Sequence, residues 1–460
     1  MKKLLWSCLL LLPALLPAQH RLGLHFMPWT YQSTLTNPAI AQPARFQLTL
    51  PVPLPTMGAD FYHSGFRLRD LVEDPTAAVL TLTPERALAA MPAEGVLRLR
   101  TEVLLLATSL RLGNWQVGLH LSNHNEFLFG YARDLISLGI EGLAPHRGER
   151  LQLAPELGFT HYHQVAASVS RSLGEKWRFG ARLKLLGGVL NVSSLPGQNR
   201  LEVYPYPNSR DLSVDLDYTL QSSSSLNLGV DHLLALAEGQ GTGFQAEGLM
   251  GLSNPGWGVD LGVQYEPIKN LVISASVVDL GQISWQNMAT VYRAQGSYTY
   301  DGLPGFTENG GINLSDPAWQ HPAEAWSVMA DSMRGRFSFG QEATAYTTAL
   351  PARGYLSAQY RLLRILSLGL AWTGEVYQAT PNHTVSGWAG LHLGRWLTFG
   401  LNYSYDQRYD DMLGVHGRVN LGPMQFYASA GNIMPLIDPY GTQAMSFILG
   451  SNYTFGRKRD

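Results

Sequence analysis

The sequence predicts an all-β protein, a single transmembrane antiparallel β-barrel of about 14 strands. The first observation is alternation. From Leu397 to Tyr405, Leu, Phe and Tyr occupy every second position, with Thr, Gly, Asn and Ser between them. Successive side chains of a strand point to opposite faces. The second observation is that this pattern recurs along most of the chain, and its apolar rows often begin or end in Tyr, Trp or Phe. Such rows match the apolar outer band and aromatic girdles of a membrane barrel.

Composition agrees with this prediction. Only 15% of the residues are charged and the net charge is −2, whereas about a quarter is typical of soluble chains. There is no basic stripe to neutralise phosphates, so a nucleic-acid partner is not expected. A soluble propeller or large sandwich is the alternative fold. It would have to explain aromatic-ended apolar faces that repeat without a blade-length period.

Residues 1–18 predict a signal peptide. Two lysines precede an apolar run from Leu4 to Leu16, and Ala18 offers a small-residue cleavage site. The run is shorter than the roughly 20 residues that a helical span requires. A lipobox ending at Cys8 is the weaker alternative. Because Cys8 is the only cysteine, cleavage after Ala18 leaves a mature chain without disulfides or thiolate metal sites.

Residues 19–95 are expected to form a Pro-rich plug or rim segment with the first strands. This region contains Asn37-Pro38-Ala39 and the run from Pro51 to Pro55. Proline cannot donate to the hydrogen-bond ladder of a sheet, so such a stretch does not suit a central strand.

Residues 96–456 are expected to form the barrel, followed by a basic tail over 457–460. An insertion over about 301–348 interrupts the strands and is predicted to be helical. Pro322 suits the helix start, and an apolar stripe that includes Trp326 suits packing on a barrel wall or rim.

Charged residues on the polar rows are expected to face the lumen. A Lys or Arg on the lipid face near the midplane costs about 2–4 kcal/mol, so bases on a spanning strand should face a wet interior or lie near its ends. We expect opposite charges to pair across this interior, with a substrate site as the second interpretation. The candidate lumen-lining residues are Arg178, Arg182, Lys184, Asp215, Asp217, Asp260 and Arg418.

The motifs of common enzymes are missing from the sequence. It has no Gly-x-Ser-x-Gly elbow, phosphate-binding glycine loop or His-Glu-x-x-His. His161 and His163 lie two apart, hence on one face of a strand, and would suit a metal; His120 and His124 form a looser pair. Because the spacing fixes no third ligand, we predict no metal site, no cofactor and no catalytic residue.

The stretch from Asn254 to Trp285 resembles a recurrent hairpin in a family of uncharacterised Bacteroidota outer-membrane β-barrels, a domain of unknown function related to the FadL and PorV barrels. The matching residues are Gly258–Gly262, the turn Tyr265–Pro267, Ser274–Ser276, Asp279–Gly281 and Trp285, together with the earlier Asn37–Ala39 and Leu50-Pro51. The resemblance implies a barrel of about 14 strands whose N-terminal segment enters or plugs the lumen, located in the outer membrane of a Gram-negative bacterium.

Two functions follow from this resemblance. The first is a FadL-like conduit for small hydrophobic molecules. The second is a non-conducting, PorV-like scaffold for a type IX secretion or surface-assembly system. The expected partners are outer-membrane lipid and lipopolysaccharide, with hydrophobic molecules or secretion proteins. An opening in the wall, or an apolar pocket under the plug, would favour passage. A sealed lumen with an exposed apolar helix around Trp326 would favour the scaffold.

Overall fold

The computed structural model describes residues 20–73, 81–195, 197–208, 211–226, 252–300, 335–377, 380–406 and 410–456. The predicted signal peptide, the predicted helix around Trp326 and the basic tail lie outside these ranges. Within the predicted insertion, the described residues from Phe337 to Ala349 are mainly strand, because they pair with neighbouring wall strands. No helix in the described ranges is long and apolar enough to cross a bilayer.

Long strands dominate the fold, and the helices are short. The helices are α1 (His20–His25), α2 (Leu68–Leu71), α3 (Pro84–Ala90), α4 (Arg133–Glu141) and α5 (Met434–Ile437), with 3₁₀ turns at Tyr31–Leu35 and Ala144–His146. The strands of the first half are β1 (Phe46–Thr49), β2 (Thr56–His63), β3 (Glu94–Leu112), β4 (Trp115–Ala132), β5 (Leu151–Gln152), β6 (Glu156–Leu173), β7 (Trp177–Ser194), β8 (Arg200–Pro205) and β9 (Leu212–Ser224). Those of the second half are β10 (Pro255–Tyr265), β11 (Leu271–Trp285), β12 (Thr290–Tyr300), β13 (Phe337–Ala343), β14 (Tyr346–Ala349), β15 (Ala352–Arg361), β16 (Leu366–Tyr377), β17 (Thr380–Leu393), β18 (Leu397–Asp406), β19 (Asp410–Leu421), β20 (Met424–Asn432) and β21 (Ala444–Phe455).

These strands close into an antiparallel barrel, as predicted. β1 and β2 occupy one position in the wall and pair with β21 on one side and β3 on the other, which joins the two ends of the sheet. Within the described residues the wall has 14 strand positions. Closure joins the first and last positions of the wall, which is what a sheet in a bilayer requires; among the described strands, β5, β13 and β14 each have a partner on one side only.

Three neighbouring positions of the wall are interrupted. β9 and β10 share one position, β11 and β12 the next, and β13 to β15 the third. At each of these positions one strand ends and a later strand of the chain continues the pairing in the same direction. This is the part of the wall where the ladder is least regular.

The alternation predicted from the sequence is confirmed in the wall. Along β18, Phe399, Leu401, Tyr403 and Tyr405 are exposed, while the polar or small residues between them are buried inside the barrel. One end of the barrel has tight turns, such as that at Gly394 with φ of +57°, a conformation that glycine adopts without strain. The longer connections lie at the other end. We call these the short-turn end and the long-loop end.

Candidate functional site: a filled lumen and an apolar groove in its wall

Residues 22–45, called the plug, lie inside the barrel. Leu24, Phe26 and Met27 are almost fully buried, and they pack with wall residues that include Tyr355 and Trp388. The ring of Phe26 stacks on that of Trp388, with 5.4 Å between centroids. The plug therefore places an apolar core in the middle of a lumen whose wall is otherwise polar.

Hydrogen bonds hold the plug to several strands. His25 contacts the Ser357 hydroxyl on β15 through Nε2 at 2.8 Å. The Tyr31 hydroxyl lies 3.1 Å from Nδ1 of His120 on β4, and Gln32 donates to Asn452 on β21 at 3.1 Å. Because these partners lie on strands from different sides of the barrel, the plug is fixed in one orientation.

The plug backbone touches the wall where the wall has glycine. A Cβ atom on Gly180 would lie 2.4 Å from the carbonyl carbon of Pro38, and one on Gly262 would lie 2.0 Å from the Asn37 side-chain oxygen. The Asn37 amide donates to the carbonyl oxygens of Val263 and Ala275, both at 3.3 Å. The Asn-Pro-Ala segment is thus seated directly against β7, β10 and β11.

A chain of ion pairs crosses the lumen beyond the plug, and we call it the ion belt. The members are Arg182 and Lys184 on β7, Asp260 on β10, Asp279 on β11, Arg353 on β15, Glu375 on β16, Arg98 and Arg100 on β3, and Glu126 on β4. Glu375 shows how it spans the interior, since it pairs with Arg353 at 2.9 Å and with Arg98 of the opposite wall at 2.9 Å.

The ion belt is buried and is bonded to the plug. Asp260 and Arg182 are essentially inaccessible to solvent and pair at 2.9 Å. Arg182 also donates to the Thr34 carbonyl oxygen at 2.8 Å. Buried charges are tolerated only when paired, and removing one partner of such a pair costs about 3–5 kcal/mol. Plug and belt together occupy much of the described lumen, and a recess of about 280 Å³ remains beside Pro28 and Trp29 towards the short-turn end.

The ladder between β10 and β11 breaks beside the ion belt. The register shifts between Val259 and Leu261, and Asp279 opposite has a φ of +62°, which is uncommon for a residue other than glycine. The freed N–H of Asp279 donates to the Asp260 carboxylate at 2.8 Å. A β-bulge of this kind bends a strand and disrupts its pairing locally.

An apolar groove lies on the outer face of the wall next to this bulge. Its volume is about 440 Å³, and it crosses β10, β11, β15 and β16. The lining residues are Leu261, Gly262, Val263, Ala275, Ser276, Val277, Gly354, Tyr355, Leu356 and Trp372. Tyr355 is also part of the apolar core that surrounds Phe26. The groove and the plug core are therefore separated by a single layer of wall.

The family model described as a family of unknown function, DUF5723, matches residues 38–431. That span covers most of the sequence, including nearly all of the wall. The chain belongs to this family. The resemblance to a family of uncharacterised barrels is thereby confirmed, although membership in DUF5723 conveys no activity. No curated protein sequence matches the chain.

Three solved structures illustrate what the DUF5723 chain is similar to. The Pseudomonas putida toluene transporter TodX matches at 12% identity over 92% of both chains, with a TM-score of 0.39. The Ralstonia pickettii toluene transporter TbuX matches at 12% over 93% of this chain and 94% of its own, with 0.40. A Pseudomonas aeruginosa FadL homologue matches at 12% over 92% and 94%, with 0.41. No function is transferred at this level of similarity.

The structure brings together some of the candidate lumen-lining residues of the DUF5723 chain. Arg182, Lys184 and Asp260 meet in the ion belt. Two others are buried elsewhere. Arg178 donates to Gln116 at 2.7 Å, and Arg418 donates to Thr398 at 2.6 Å.

Asp215 and Asp217 lie apart from the ion belt. Both are on β9, the segment of the wall towards the long-loop end. Asp217 accepts a hydrogen bond from Gln295 at 3.0 Å in an exposed position, and neither carboxylate pairs with a lumenal base in the described structure. These two carboxylates are therefore not part of the ion belt.

Six of the nine members of the ion belt were not singled out in the sequence as lumen-lining residues. Arg98, Arg100 and Glu126 lie on β3 and β4, Asp279 lies on β11, and Arg353 and Glu375 lie on β15 and β16. The sequence does carry a signal for Arg98 and Arg100. Arg98 and Arg100 alternate with Leu97 and Leu99, the same pattern that identified the bases of β7. Glu375 had a weaker signal, because one of its two neighbours is Gly374 rather than an apolar side chain.

The His120–His124 pair predicted as a loose cluster does not converge. His120 contacts Tyr31 and Gln164, whereas His124 stacks on Tyr162 with 4.8 Å between centroids. Among the described residues, no group of three or more His, Cys, Asp and Glu side chains has the arrangement of a metal site.

Proposed function

We propose that the protein is an outer-membrane conduit that moves small hydrophobic molecules between its lumen and the surrounding lipid through the wall at the groove. The observation that carries this proposal is the position of Tyr355. It lines the groove on the outside and belongs to the apolar core around Phe26 on the inside. An apolar molecule in the groove is thus one side-chain layer from an apolar interior.

The irregular ladder supports a route at this place. Opening a regular antiparallel wall breaks a continuous row of hydrogen bonds. Next to the groove the β10–β11 ladder is already interrupted at Asp260 and Asp279, whose mutual hydrogen bond replaces ladder bonds. Next to this interruption, the side-chain amide of Asn37 in the plug donates hydrogen bonds to the carbonyl oxygens of Val263 on β10 and Ala275 on β11. Movement of the plug would therefore release this part of the wall.

A reversible staple between β10 and β11 tests the route. Val263 and Ala275 are directly opposite on these two strands, and both line the groove. Directly opposed residues of neighbouring strands have Cβ atoms about 4.5–5.5 Å apart, within reach of a slightly adjusted disulfide. The only native cysteine is Cys8, so the double variant V263C/A275C forms the intended bond without competition.

The measurement is transfer of N-phenyl-1-naphthylamine, a small apolar fluorescent probe, into vesicles that contain the folded protein. We expect the oxidised variant to be silent and dithiothreitol to restore transfer. The matched control is S386C/S404C on β17 and β18, a pair that is also directly opposed, with hydroxyl oxygens 2.5 Å apart. It should transfer the probe in both redox states. Equal block by both staples would contradict a route at the groove.

The filled lumen favours the second candidate, a scaffold for a secretion or surface-assembly partner. Plug and ion belt occupy much of the described lumen. At the long-loop end α5 exposes Leu436 (78%) and Ile437 (62%), and exposed apolar residues of this kind suit a protein contact. Absence of probe transfer by the wild-type protein and by both reduced variants would favour this role over passage.

A further inference from the structure

A polar island interrupts the apolar outer face of the barrel. Its members are Thr101 on β3, Asn123 and Asn125 on β4, and His161 and His163 on β6. The register of these strands places Thr101, Asn125 and His161 in one row, and Asn123 beside His163 in the next. None of these side chains points into the lumen, since their neighbours Glu102, His124 and Tyr162 are the buried ones.

Apolar residues border the island on both sides. Leu99, Phe127 and Phe159 form the row towards the long-loop end, and Leu106, Leu121 and Val165 form the row towards the short-turn end. Asn123 follows the girdle residue Trp115 by eight positions. At a strand rise of about 3.4 Å and a tilt of about 40°, that places Asn123 roughly 20 Å above the girdle and the row of Asn125 and His161 about 26 Å above it, at the far edge of an apolar band about 25 Å tall.

Near the edge of the band the cost of a charged side chain falls to about 0–1 kcal/mol, so the arrangement of these side chains, rather than their depth, points to a role. Hydrogen bonds within the island define its arrangement. Asn125 donates from Nδ2 to the Thr101 hydroxyl at 3.1 Å and to Oδ1 of Asn123 at 3.0 Å. The amide nitrogen of Asn123 is thereby turned towards the histidines. It lies 2.7 Å from Nε2 of His161 and 3.2 Å from Nδ1 of His163.

Two imidazole lone pairs consequently converge on one point. Because Asn123 Nδ2 can only donate, both ring nitrogens that face it are unprotonated acceptors. The rings are 5.3 Å apart and nearly perpendicular. A neutral imidazole nitrogen is the most frequent ligand for transition metals in proteins, and an ion at the position of the Asn123 amide would be reached by both.

We propose that His161, His163 and Asn123 form a binding site for a borderline divalent transition-metal ion on the outer wall of the barrel. His161 Nε2 and His163 Nδ1 supply two ligands. Asn123 supplies its carbonyl oxygen after its amide turns over. Metal–nitrogen bonds of about 2.0–2.1 Å require both rings to move inwards slightly, and water completes the coordination. The bound ion would link β4 to β6.

The nature of the ligands predicts which ions bind. Two imidazoles and one amide oxygen suit Cu²⁺, Ni²⁺ and Zn²⁺, and the affinity should be highest for Cu²⁺. Mg²⁺ and Ca²⁺ prefer all-oxygen ligand sets and should not compete. A site that instead bound all divalent ions alike would be a nonspecific anionic surface.

Titration of the folded barrel in detergent with CuCl₂ tests the site by calorimetry, after each variant has been checked for the heat-modifiable mobility of a folded barrel. We expect one equivalent to bind the wild type and none to bind His161→Ala or His163→Ala. The matched control is His146→Ala, because His146 lies within 3.3 Å of Glu141 and 3.2 Å of Glu149 and is another place for an adventitious ion. It should bind as the wild type does. Loss of binding in this control, with retention in the other two variants, would overturn the proposal.

Two further measurements keep the test decisive. Electron paramagnetic resonance of the Cu²⁺-loaded wild type should show coupling to two equatorial nitrogens, whether or not the alanine variants fold; coupling to none would exclude the histidines. Asn123→Asp keeps the size of the side chain and supplies a carboxylate oxygen, so it should bind Cu²⁺ more tightly. An affinity no higher than that of the wild type would overturn the three-ligand site.

Discussion

At the scale of single residues, Gly180 and Gly262 show why the inner wall contains glycine on its polar rows. The plug approaches β7 and β10 so closely that any side chain at these two positions meets plug atoms. The neighbouring atoms differ in kind. At Gly180 they belong to the plug backbone, whereas at Gly262 the nearest is the end of the Asn37 side chain, which is able to move.

We therefore expect Gly180→Ala to destabilise the docked plug more than Gly262→Ala. An added methyl group in a closely packed interior costs about 1–3 kcal/mol, and the backbone next to Gly180 cannot yield. The free energy of unfolding in urea, measured on the barrel refolded in detergent, checks this. Gly417→Ala on β19, where a Cβ atom would have no neighbour within 4 Å, is the matched control. Equal losses in all three variants would mean that strand propensity, rather than contact with the plug, is responsible.

Only some residues of the ion belt could be predicted from the sequence. Alternation with apolar neighbours was enough to place Arg182 and Lys184 on an inner row. Asp279, which pairs with Lys184, and Glu375, which pairs with Arg353, were not predictable, because pairing across a lumen depends on the registers of strands that are far apart in sequence. Asp279 further required a bulge, and nothing in a single sequence marks the position at which β11 gains a residue.

At the scale of elements, the wall strands were predictable and the plug conformation was not. A strand such as β18 carries its own signal, since the lipid and the interior impose opposite polarities on alternate residues. The sequence of residues 19–95 indicated a plug or a rim but not which of the two. The path of residues 22–45 depends on hydrogen bonds to strands that follow much later, such as that between Gln32 and Asn452.

His25 makes the plug sensitive to acid. Burial lowers the pKa of its imidazole from 6.5 to about 4. In the structure its two nitrogens face the Thr36 and Ser357 hydroxyls, each at 2.8 Å. In a plug released into water, the imidazole would titrate near its ordinary value. The docked plug thus binds fewer protons between pH 4 and pH 6.5, so docking weakens as pH falls through that window and is unaffected above it.

At pH 4 and below, the lowered pKa of His25 weakens docking of the plug by a few kcal/mol, on the order of 3. We expect hydrogen–deuterium exchange in residues 22–37, corrected for its intrinsic pH dependence, to rise relative to the wall strands as the pH is lowered from 7 to 4.5. His25→Gln has no titrating group, and its corrected exchange should not change with pH. An equal rise in this variant would assign the effect to carboxylates of the ion belt.

At the scale of the whole molecule, the barrel is closed by its wall and filled by its own chain. Closure depends on β1 and β2, which join β21 to β3. The N–H of Arg45 already bonds to the carbonyl oxygen of Phe455, at 3.0 Å. The segment that fills the lumen therefore ends where the segment that closes the wall begins, and the two roles are separable by deletion.

Removal of residues 20–44 should open the lumen and leave the wall intact. A barrel of about 14 strands encloses an interior wide enough for an aqueous path once its filling is removed. In planar bilayers we expect the protein that retains residues 20–44 to be silent and the deletion variant to conduct ions. A synthetic peptide of residues 20–44, added in excess, should restore silence, and a scrambled peptide should not. A deletion variant that folds, as shown by its heat-modifiable mobility, but stays silent would mean that the ion belt alone seals the lumen. Hydrophobic molecules would then have to pass through the wall without entering an aqueous channel.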